Sequence, residues 1–471
     1  MSLKTHVFNP LICVVLLASL CSHAQNAYTA ADMPQTWLDT PSAANNPALT
    51  ADWWSSFGDN VLDTLIDVGV ANNYDILMAA RRVEIARQTL TQARSQFFPT
   101  FSLSAGWSGS QSSGATASPV RSSSSSQVWS LGIDMSWQVD IFGKVAAQAR
   151  GKKANWQASR IEHEGMMVTI EAKIASAYFN LRTLQSRLEV AHKHSASQER
   201  ILGIAIARYQ AGLNSKLDVA QAQTIYLSTI ASVPSLENSI NAAINALSVL
   251  TCIDAAELRT KLATDSLVMP QWERLLAVGV PADLLRRRPD IAQAETVISA
   301  DAAAIGVAQK DFLPTLTLNG SIGTSAHRLG DLFGAHSLDY SVAPTLSWTI
   351  FDGMARKATL AQAREQMQAD IDNYNLTVLN AVSEVNNALG NYDTALDQIG
   401  LYGKVVDQSV EALTLSLDLY TSGLNSFRDV ATAQIDYLNY ADQLVQSKGS
   451  ALAALVSLYE ALGGGWNASS Y

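Results

Sequence analysis

The chain repeats one seventeen-residue passage, and this repeat limits the possible folds more than any other feature. Residues 207–223 and 418–434 share ten identical positions and lie 211 residues apart. A solenoid unit has only about 20 to 50 residues, so this long period predicts two similar halves, an internal tandem duplication. The similarity extends further, because residues 96–103 recur as residues 311–318.

The composition indicates a chain that does not face water on all sides. Charged residues make up 16% of the 471 positions, against roughly 25% in ordinary soluble domains. The formal net charge is -10, whereas a nucleic-acid partner requires a basic surface. We therefore predict no nucleic-acid partner and a surface that contacts something other than solvent.

Residues 1–24 have the pattern of a signal peptide. A basic start is followed by an apolar stretch at 11–20 and by a small-x-small cleavage site that ends at Ala24. Ten apolar residues are too few to span a bilayer. Cys21 keeps a second alternative open, lipidation as in a bacterial lipoprotein, although Leu20 is larger than the residue preferred before that cysteine. Cleavage after Ala24 is the favoured prediction.

Four segments alternate apolar and polar residues, which is the period of a β-strand. They cover residues about 100–109, 127–139, 315–323 and 340–351. Half of a soluble sandwich would show the same alternation. A length of about ten residues, however, suits a tilted membrane strand, and aromatic residues at both ends are typical of a membrane barrel. The aromatic girdle is predicted to contain Trp107, Trp129, Trp137, Tyr340 and Trp348.

Four strands cannot close a barrel by themselves. An open sheet edge is not tolerated in lipid, because its backbone groups would have no hydrogen-bond partners. Two copies would supply eight strands, whose interior fills with side chains, whereas three copies would supply twelve and leave a lumen. Transport therefore predicts a trimer.

Two long helical stretches are predicted, at about 144–249 and 354–462. The sequence after the signal contains no run of 18 apolar residues, so no membrane-spanning helix is predicted. Apolar residues recur in steps of four and three, the heptad seam of a coiled coil. A helix of about 65 residues is about 100 Å long, so these helices should form a rod or a tube. The seam residues are Ile170, Ile174, Ala177, Leu181, Leu184, Leu188 and Ala191, and then Tyr374, Val378, Ala381, Val385, Ala388, Tyr392, Ala395, Ile399, Tyr402 and Val406.

The repeated passage interrupts each helical stretch. Gly212 and Gly423 suit the left-handed position that ends a helix. The Asn-Ser pairs at 214–215 and 425–426 suit the cap of the next helix. Each copy of the passage is therefore predicted to be the tip of a helical hairpin.

Several motifs together resemble one family, the outer-membrane factors, which are TolC-like channels, in their NodT-type branch. The matching motifs are Tyr-x-x-Gly-Leu-Asn-Ser-x-x-Asp-Val at 209–219 and 420–430, Arg-Arg-Pro-Asp-Ile at 287–291, Leu-Tyr-Glu-Ala-Leu-Gly-Gly-Gly-Trp at 458–466, and Trp-Trp at 53–54 with Phe-Gly-Asp at 57–59. Each motif alone is weak, but in this order they are specific.

The resemblance implies an α+β membrane protein in the outer membrane of a Gram-negative bacterium. It implies a homotrimer with a 12-stranded β-barrel, four strands per chain, continued by a long periplasmic α-helical coiled-coil tunnel. After the signal peptide, the chain would divide into a first repeat at 25–250, an equatorial segment at 251–280 and a second repeat at 281–471.

The implied function is that of an exit channel in a tripartite efflux system. It would passively conduct small toxic compounds, such as drugs or metals, and its partners would be outer-membrane lipid, a periplasmic adaptor (membrane fusion) protein and an inner-membrane RND-type pump. A duct for type I protein secretion has the same architecture and stays an alternative. A trimeric coiled-coil surface adhesin or scaffold is an alternative of another class, but it predicts one cluster of strands at one end.

The hairpin tips contain the candidate functional residues that the resemblance implies. Rings of Asp218 and Asp429 at the periplasmic entrance would favour cations, but aspartate in the first turn of a helix also stabilises the helix by itself. The gate and selectivity candidates are Asp218, Asp429, Tyr209, Tyr420, Lys216 and Arg428. The adaptor-contact candidates, for which turn geometry is the alternative, are Gly212, Leu213, Asn214, Ser215, Gly423, Leu424, Asn425 and Ser426.

No other motif predicts a catalytic, metal or cofactor site. The arginines at 286–288 should pair with acidic neighbours before Pro289, and the glycines at 463–465 lack the context of a phosphate loop. His192 and His194 are two residues apart, so on a helix they point to different faces and cannot share a metal. No set of nucleophile, base and orienting group is evident.

Overall fold

The structure, a computed structural model, describes residues 52–111, 125–263 and 287–464, together with residues 29, 32–34, 36–38, 113 and 466. The predicted signal peptide, Cys21, Arg286 and most of the segment 251–280 lie outside the described residues. In chain order the helices and strands are α1 (Asn60–Asn72), α2 (Tyr74–Ser95), β1 (Thr100–Gln111), β2 (Ser125–Val139), α3 (Lys144–Gln210), α4 (Lys216–Thr251), α5 (Ala255–Leu262), α6 (Pro289–Lys310), β3 (Thr315–Ala326), β4 (Leu338–Ser347), α7 (Ala355–Thr421) and α8 (Phe427–Ala461).

The two halves of the chain contain corresponding elements. Helices α3 and α7 each have 67 residues, and α4 and α8 have 36 and 35. The described residues divide between two compact units. The first contains Val83–Ser159 and Ala294–Tyr374, with the four strands; the second contains Tyr28–Arg82, Arg160–Gln293 and Asn375–Tyr471, with both repeated passages.

The first unit is built around one antiparallel sheet in the order β1-β2-β3-β4. Its register places the apolar positions of neighbouring strands opposite each other, as in Leu103 with Ile133 and Ile133 with Ile322. Ile322 in turn pairs with Tyr340. Because side chains alternate along every strand, these pairs form one continuous apolar face. Leu103 is 75% exposed, so none of the residues that the structure describes covers it.

The opposite face of the sheet is lined by serine, glycine and aspartate. The hydroxyl of Ser104 donates to Asp134 at 2.8 Å, and that of Ser325 donates to Asp339 at 2.8 Å. The strands also approach closely, because a Cβ at Gly323 would lie 2.7 Å from the carbonyl oxygen of residue 131. The sheet is therefore apolar on one side and polar on the other, as the alternation predicts.

The last strand is shorter than predicted. β4 ends at Ser347 and not at 351, so Trp348 follows the strand instead of lying within it. β4 ends there because its partner strand β3 begins at Thr315, which pairs with Ser347. The residue before Thr315 is Pro314, which has no N–H with which to continue the ladder.

The second unit has much of its core along the predicted seam, most of whose residues are buried. Ile170, Ile174 and Leu181 are fully buried, as are Val378 and Val385. The seam of each long helix therefore packs inward, as a heptad pattern requires.

The aromatic residues of the N-terminal motif belong to the same core. Trp53 stacks on Tyr459 with 4.7 Å between ring centroids. Asp59 caps α1 by accepting from the backbone amides of Val61 and Leu62, and it also accepts a hydrogen bond from Tyr178. The motif at residues 53–59 therefore packs against the long helices α3 and α8.

Helix α6 is long and apolar. Among the described helices it alone is apolar and long enough, with a mean hydropathy of 1.2, to meet the compositional criterion for a membrane span. Alanine accounts for much of this value. Ala303 packs against α3, where a Cβ at Gly151 would lie 3.4 Å from that of Ala303.

A half-buried carboxyl on α3 should make stability depend on pH. Burial raises the pKa of Glu171 to about 8 from 4.5, and the charges of Asp52 and Glu164 add to the shift. The folded chain therefore binds this proton more tightly than the unfolded chain. The stability that the protonated group contributes is complete below pH 4.5 and is lost as pH rises to about 8.

We expect Glu171→Gln to raise the midpoint of thermal unfolding at about pH 8 and to change it little at about pH 5. The measurement is thermal unfolding of the detergent-solubilised protein at both pH values. Glu189→Gln, at a residue whose side chain is 41% exposed and pairs with Lys193 at 2.7 Å, is the matched control and should have little effect at either pH. The same increase for Glu171→Gln at both pH values would contradict the prediction.

Candidate functional site at the two helical turns

Each repeated passage forms the turn between two long helices, and a glycine closes each turn. Gly212 and Gly423 have φ of 74° and 75°. In both turns the leucine after the glycine donates its amide hydrogen to the carbonyl five residues earlier, at 2.9 Å. This is the Schellman pattern, which needs a left-handed residue. Since that conformation costs other residues roughly 1–2 kcal/mol, turn geometry accounts for both glycines.

Helices α4 and α8 begin directly after these turns, with Ser215 and Ser426 as the N-cap residues. The hydroxyl of Ser215 donates to Asp218 at 3.0 Å, and that of Ser426 donates to Asp429 at 2.8 Å. Both carboxylates lie in the first helical turn, where the helix macrodipole favours negative charge. Each aspartate therefore has a local structural role, and a gating role needs a further contact.

Asp218 has such a contact. The Tyr420 hydroxyl donates to Oδ2 of Asp218 at 3.4 Å and accepts a hydrogen bond from Nδ2 of Asn214 at 2.7 Å. Burial raises the pKa of Tyr420, so the hydroxyl keeps its proton as a donor. These bonds join the second-half turn to the first-half turn. Within the described part of the chain, Asp429 has no corresponding tyrosine.

The ring of Tyr420 is 2% exposed. The Phe427 ring lies 5.4 Å from it at an angle of 70°. The guanidinium carbon of Arg208 lies 5.0 Å from the ring centroid, and Arg208 also donates to the Thr421 carbonyl. First-half residues surround this side chain, and we call them the Tyr420 seat: Ile201, Ala205, Asn214, Asp218 and Ala222.

The other gate candidates are placed differently. Tyr209 is 45% exposed, and Lys216 and Arg428 are exposed. Neither cation forms an ion pair with a carboxylate among the residues that the structure describes. Lys216, Arg428 and Tyr420 are the predicted partners of the two aspartates. Among the described residues of one chain, only Tyr420 bonds to one of them, Asp218.

Arg208 is a contact that sequence reasoning missed. It covers Tyr420 and binds the backbone of the opposite turn. A signal was present, because position 208 is arginine where the second copy has Leu419. Such a difference within a repeated passage marks a place where the two halves have different neighbours.

The apex of each turn presents an apolar side chain to the outside. Leu213 is 66% exposed and Leu424 is 77% exposed. Asn425 accepts from the amide of Ser426 at 2.9 Å, which supports the local turn. Exposed apolar groups at an apex form a surface suited to contact with another protein.

Four of the five predicted girdle residues lie toward the two ends of the sheet. At one end, Trp107 and Trp129 are cross-strand partners, with 6.2 Å between ring centroids. Tyr340 instead pairs with Ile322, between the levels of Trp129 and Trp137. At the other end, the indole nitrogens of Trp137 and Trp348 donate to backbone carbonyls, at 3.1 and 3.0 Å. Aromatic rings at both ends of an apolar band are typical of membrane interfaces.

Arg288 confirms the predicted pairing with acidic neighbours. It is 9% exposed and binds Asp290 through Nε at 3.0 Å and Nη2 at 2.7 Å. Its Nη1 binds Glu384 at 2.6 Å and the carbonyl of Ala461 at 3.0 Å. Burial lowers the pKa of Arg288, but the hydrogen bonds and charges of the two carboxylates outweigh it and raise the pKa. The cluster joins α6, α7 and α8.

The two histidines point to different faces, as predicted. His192 is exposed, whereas His194 is 6% exposed, with its ring centroid 4.3 Å from that of Tyr437. Burial lowers the pKa of His194 to about 4. It is therefore a neutral packing residue of the helical core.

Comparison with known proteins decides the family. The sequence profile described as outer membrane efflux protein matches residues 65–251 and 280–464. The chain belongs to this family. The two matched segments include both repeated passages, all four strands and the Arg288 cluster.

Relatives and solved structures agree with this assignment. The solvent efflux pump outer membrane protein SrpC of Pseudomonas putida is 28% identical over 418 residues, which cover 88% of this chain and 87% of that protein. Nodulation protein T of Rhizobium leguminosarum bv. viciae is 27% identical over 420 residues, 89% of this chain and 85% of that one. The outer-membrane channel OprN superposes with a TM-score of 0.86 at 26% identity, covering 94% of this chain and 100% of that chain.

These similarities confirm the resemblance of the motifs to outer-membrane factors of the NodT type. This efflux-family protein is located in the outer membrane, and its fold is that of an outer-membrane channel, a mostly helical chain with a four-stranded sheet.

Proposed function

We propose that this protein is the exit channel of a tripartite efflux system and that three copies close its barrel, with an internal tandem duplication as the origin of the two halves. β1 and β4 are the edge strands of the sheet, and lipid cannot satisfy the backbone groups of an open edge. Eight strands from two copies would fill with side chains, whereas twelve strands from three copies leave a lumen.

The two faces of the sheet are the observation that carries this proposal. One face is apolar and exposed, with aromatic rings near both ends. The other carries hydrogen-bonded serine and aspartate side chains. In a closed barrel the first face contacts lipid and the second lines water, which allows passive conduction of polar and amphipathic cargo.

The cargo class follows from the relatives. Proteins similar to this one are named for efflux of solvent and toluene and for export of pyoverdine. We extend this to small toxic compounds, drugs or metals among them, delivered by an RND-type inner-membrane pump through a periplasmic adaptor. The turn residues 212–215 and 423–426, of which all but Asn214 and Asn425 are exposed, are the proposed adaptor contacts, with Leu213 and Leu424 at their apices.

The Tyr420 seat is the proposed latch of the resting channel. It joins the two helical hairpins of one chain by two hydrogen bonds and a buried ring. Opening would separate the hairpins and expose these groups to water. Asp218 then has two roles, because it stabilises the start of α4 and also holds Tyr420.

Single-channel conductance in planar bilayers tests the channel proposal. Purified trimer should conduct, and the adaptor should increase the open probability. Absence of conductance even with adaptor present would contradict the proposal and would favour an adhesin or scaffold. Restored export of a protein substrate, but not of small compounds, in cells that lack their own channel would favour a type I secretion duct.

Asp429→Ala should reduce the preference for cations. Two unit charges at 4 Å in water interact by about 1 kcal/mol, which corresponds to a change of about fivefold at most in the permeability ratio. The measurement is the reversal potential in a KCl gradient, with Asp218→Ala measured in parallel. Asp75→Ala is the matched control, because Asp75 is also in a first helical turn but outside the repeated passage. Unchanged conductance and unchanged cation preference in both test variants would contradict a gating or selectivity role.

A further inference from the structure

The loop between β3 and β4, residues 327–337, is folded by its own contacts. The buried hydroxyl of Ser337 lies 2.7 Å from the carbonyl oxygens of Leu332 and Gly334, and can donate to either. The side chain of Leu332 is itself buried. At the base of the loop, the amide of Ser325 donates to the carbonyl of Ser337 at 2.8 Å. The loop is therefore a compact extension of the β3–β4 hairpin with one defined conformation.

This folded loop exposes two large apolar side chains. Phe333 is 79% exposed and Leu329 is 58% exposed, although Leu332, which lies between them in sequence, is buried. Exposed apolar side chains that lie close together on an ordered surface indicate a contact with something outside the loop. We call Arg328, Leu329 and Phe333 the loop patch.

The loop patch adjoins the apolar face of the sheet. The loop begins directly after Ala326, which pairs with Trp129, and Trp129 lies toward one end of the sheet. It ends before Leu338, which is 65% exposed and lies on the same face as Tyr340, because side chains alternate along a strand. The loop is therefore located just beyond the aromatic residues, at the level where a membrane barrel meets the lipid headgroups.

A cation stands next to the apolar residues. Arg328 is exposed, directly precedes Leu329, and forms no ion pair with any carboxylate that the structure describes. The carboxylate of the loop, Asp331, is exposed as well. His327 is bound to the neighbouring strand, where its Nδ1–H donates to the carbonyl of Gln127 at 2.8 Å. The guanidinium of Arg328 is therefore available to an anion, and its planar fork suits a phosphate group.

We propose that the loop patch binds lipid A, the phosphorylated lipid of the outer leaflet. Leu329 and Phe333 enter the headgroup region, and Arg328 binds a lipid phosphate. This inference rests on the proposed function, in which the sheet is part of a membrane barrel. The strands connect to the long helices at the other end of the sheet, so in the proposed channel this loop faces the outside of the cell.

A lipid surface suits both kinds of group in the loop patch. At a membrane interface, apolar and aromatic side chains enter the boundary of the acyl chains while a neighbouring arginine extends to the phosphates. Leu338, the first residue after the loop, belongs to the face of the sheet that contacts lipid in the proposed channel. Because the loop is ordered by its own hydrogen bonds, binding holds the barrel at one depth in the membrane.

Spin labels at single cysteines test the position of the loop in vesicles that contain lipid A. The background carries Cys252→Ser, and the test variants are Phe333→Cys and Leu329→Cys. Val342→Cys is the membrane reference, because Val342 is 71% exposed on the apolar face of β4. Leu213→Cys is the water reference, at a turn residue of the second unit that is 66% exposed. The measurement is the collision rate of each label with oxygen, which enters lipid, relative to a nickel chelate, which stays in water.

We expect the labels at 329 and 333 to collide more with oxygen than the label at 213 does, and to lie at a shallower depth than the label at 342. Labels at 329 and 333 that behave like the label at 213, with the label at 342 in lipid, would overturn this inference and leave the proposed barrel intact. The loop would then cover the water-filled mouth. A label at 342 that behaves like the label at 213 would overturn both.

Titration of purified lipid A into the detergent-solubilised protein, followed by native mass spectrometry, tests the phosphate contact. Arg328→Gln should weaken lipid A binding by about tenfold, because a hydrogen bond to a charged group is lost, and Arg328→Lys should recover only part of it. Arg200→Gln, at an exposed arginine of α3, is the matched control and should bind as the wild type does. Equal affinity of Arg328→Gln and the wild type would overturn the role of Arg328. An equal effect of Arg328→Gln on phosphatidylglycerol would overturn lipid A as the specific occupant.

Discussion

Replacing Arg288 by alanine is expected to lower the free energy of unfolding by about 3 kcal/mol, the lower end of the 3–5 kcal/mol typical of a broken buried ion pair. The guanidinium binds two carboxylates and the last carbonyl of α8. Its removal leaves Asp290 and Glu384 without their cation, beside Glu460, whose pKa burial already raises. The carboxylate side chains are 43% and 54% exposed, so water compensates for part of the loss.

Denaturant unfolding of the detergent-solubilised protein measures this effect. Arg82→Ala is the matched control, because Arg82 pairs with Glu162 at 3.4 Å and its side chain is 59% exposed. Such a surface pair contributes about 0–1 kcal/mol. Equal losses for the two variants would mean that the Arg288 cluster adds nothing beyond an ordinary surface pair. Arg288→Lys keeps the charge but loses the fork geometry, and should recover only part of the stability.

Replacing Tyr420 by phenylalanine is expected to raise the resting open probability of the channel by about tenfold. The variant keeps the ring in its seat and removes the bonds to Asn214 and Asp218. A hydrogen bond contributes about 0.5–1.5 kcal/mol, and more when one partner is charged. Because about 1.4 kcal/mol corresponds to a factor of ten, two bonds in each chain are enough for this change.

Single-channel recording of the Tyr420→Phe variant measures the open probability. Tyr74→Phe is the control, because Tyr74 is 72% exposed at the start of α2. Asp218→Asn should raise the open probability less, because the amide oxygen still accepts from Tyr420. An open probability for Tyr420→Phe equal to that of the wild type would show that the seat serves packing alone.

Most of the fold could be predicted from local patterns. The alternation at 100–109 and 127–139 predicts strands and their apolar face, because the period of two is a local property. The end of β4 could not be predicted in this way. Trp348 and Ile350 continue the alternation, but pairing depends on a partner strand, and Pro314 ends that partner.

The turns illustrate what the sequence by itself determined. Glycine at 212 and 423, serine at the N-caps and aspartate three residues later are sufficient for a Schellman turn followed by a stabilised helix start. These groups interact within a few residues of each other, so the same local sequence forms the same local structure twice.

Only the tertiary structure decided which copy is covered. Tyr209 and Tyr420 occupy equivalent positions in passages that share ten of seventeen residues, yet one is 45% exposed and the other 2%. Burial depends on which residues lie across the turn, and those residues come from the other half of the chain. Local sequence can therefore specify both hairpin tips, but it cannot specify that Arg208 and Asn214 of the first half cover Tyr420 while Tyr209 stays exposed.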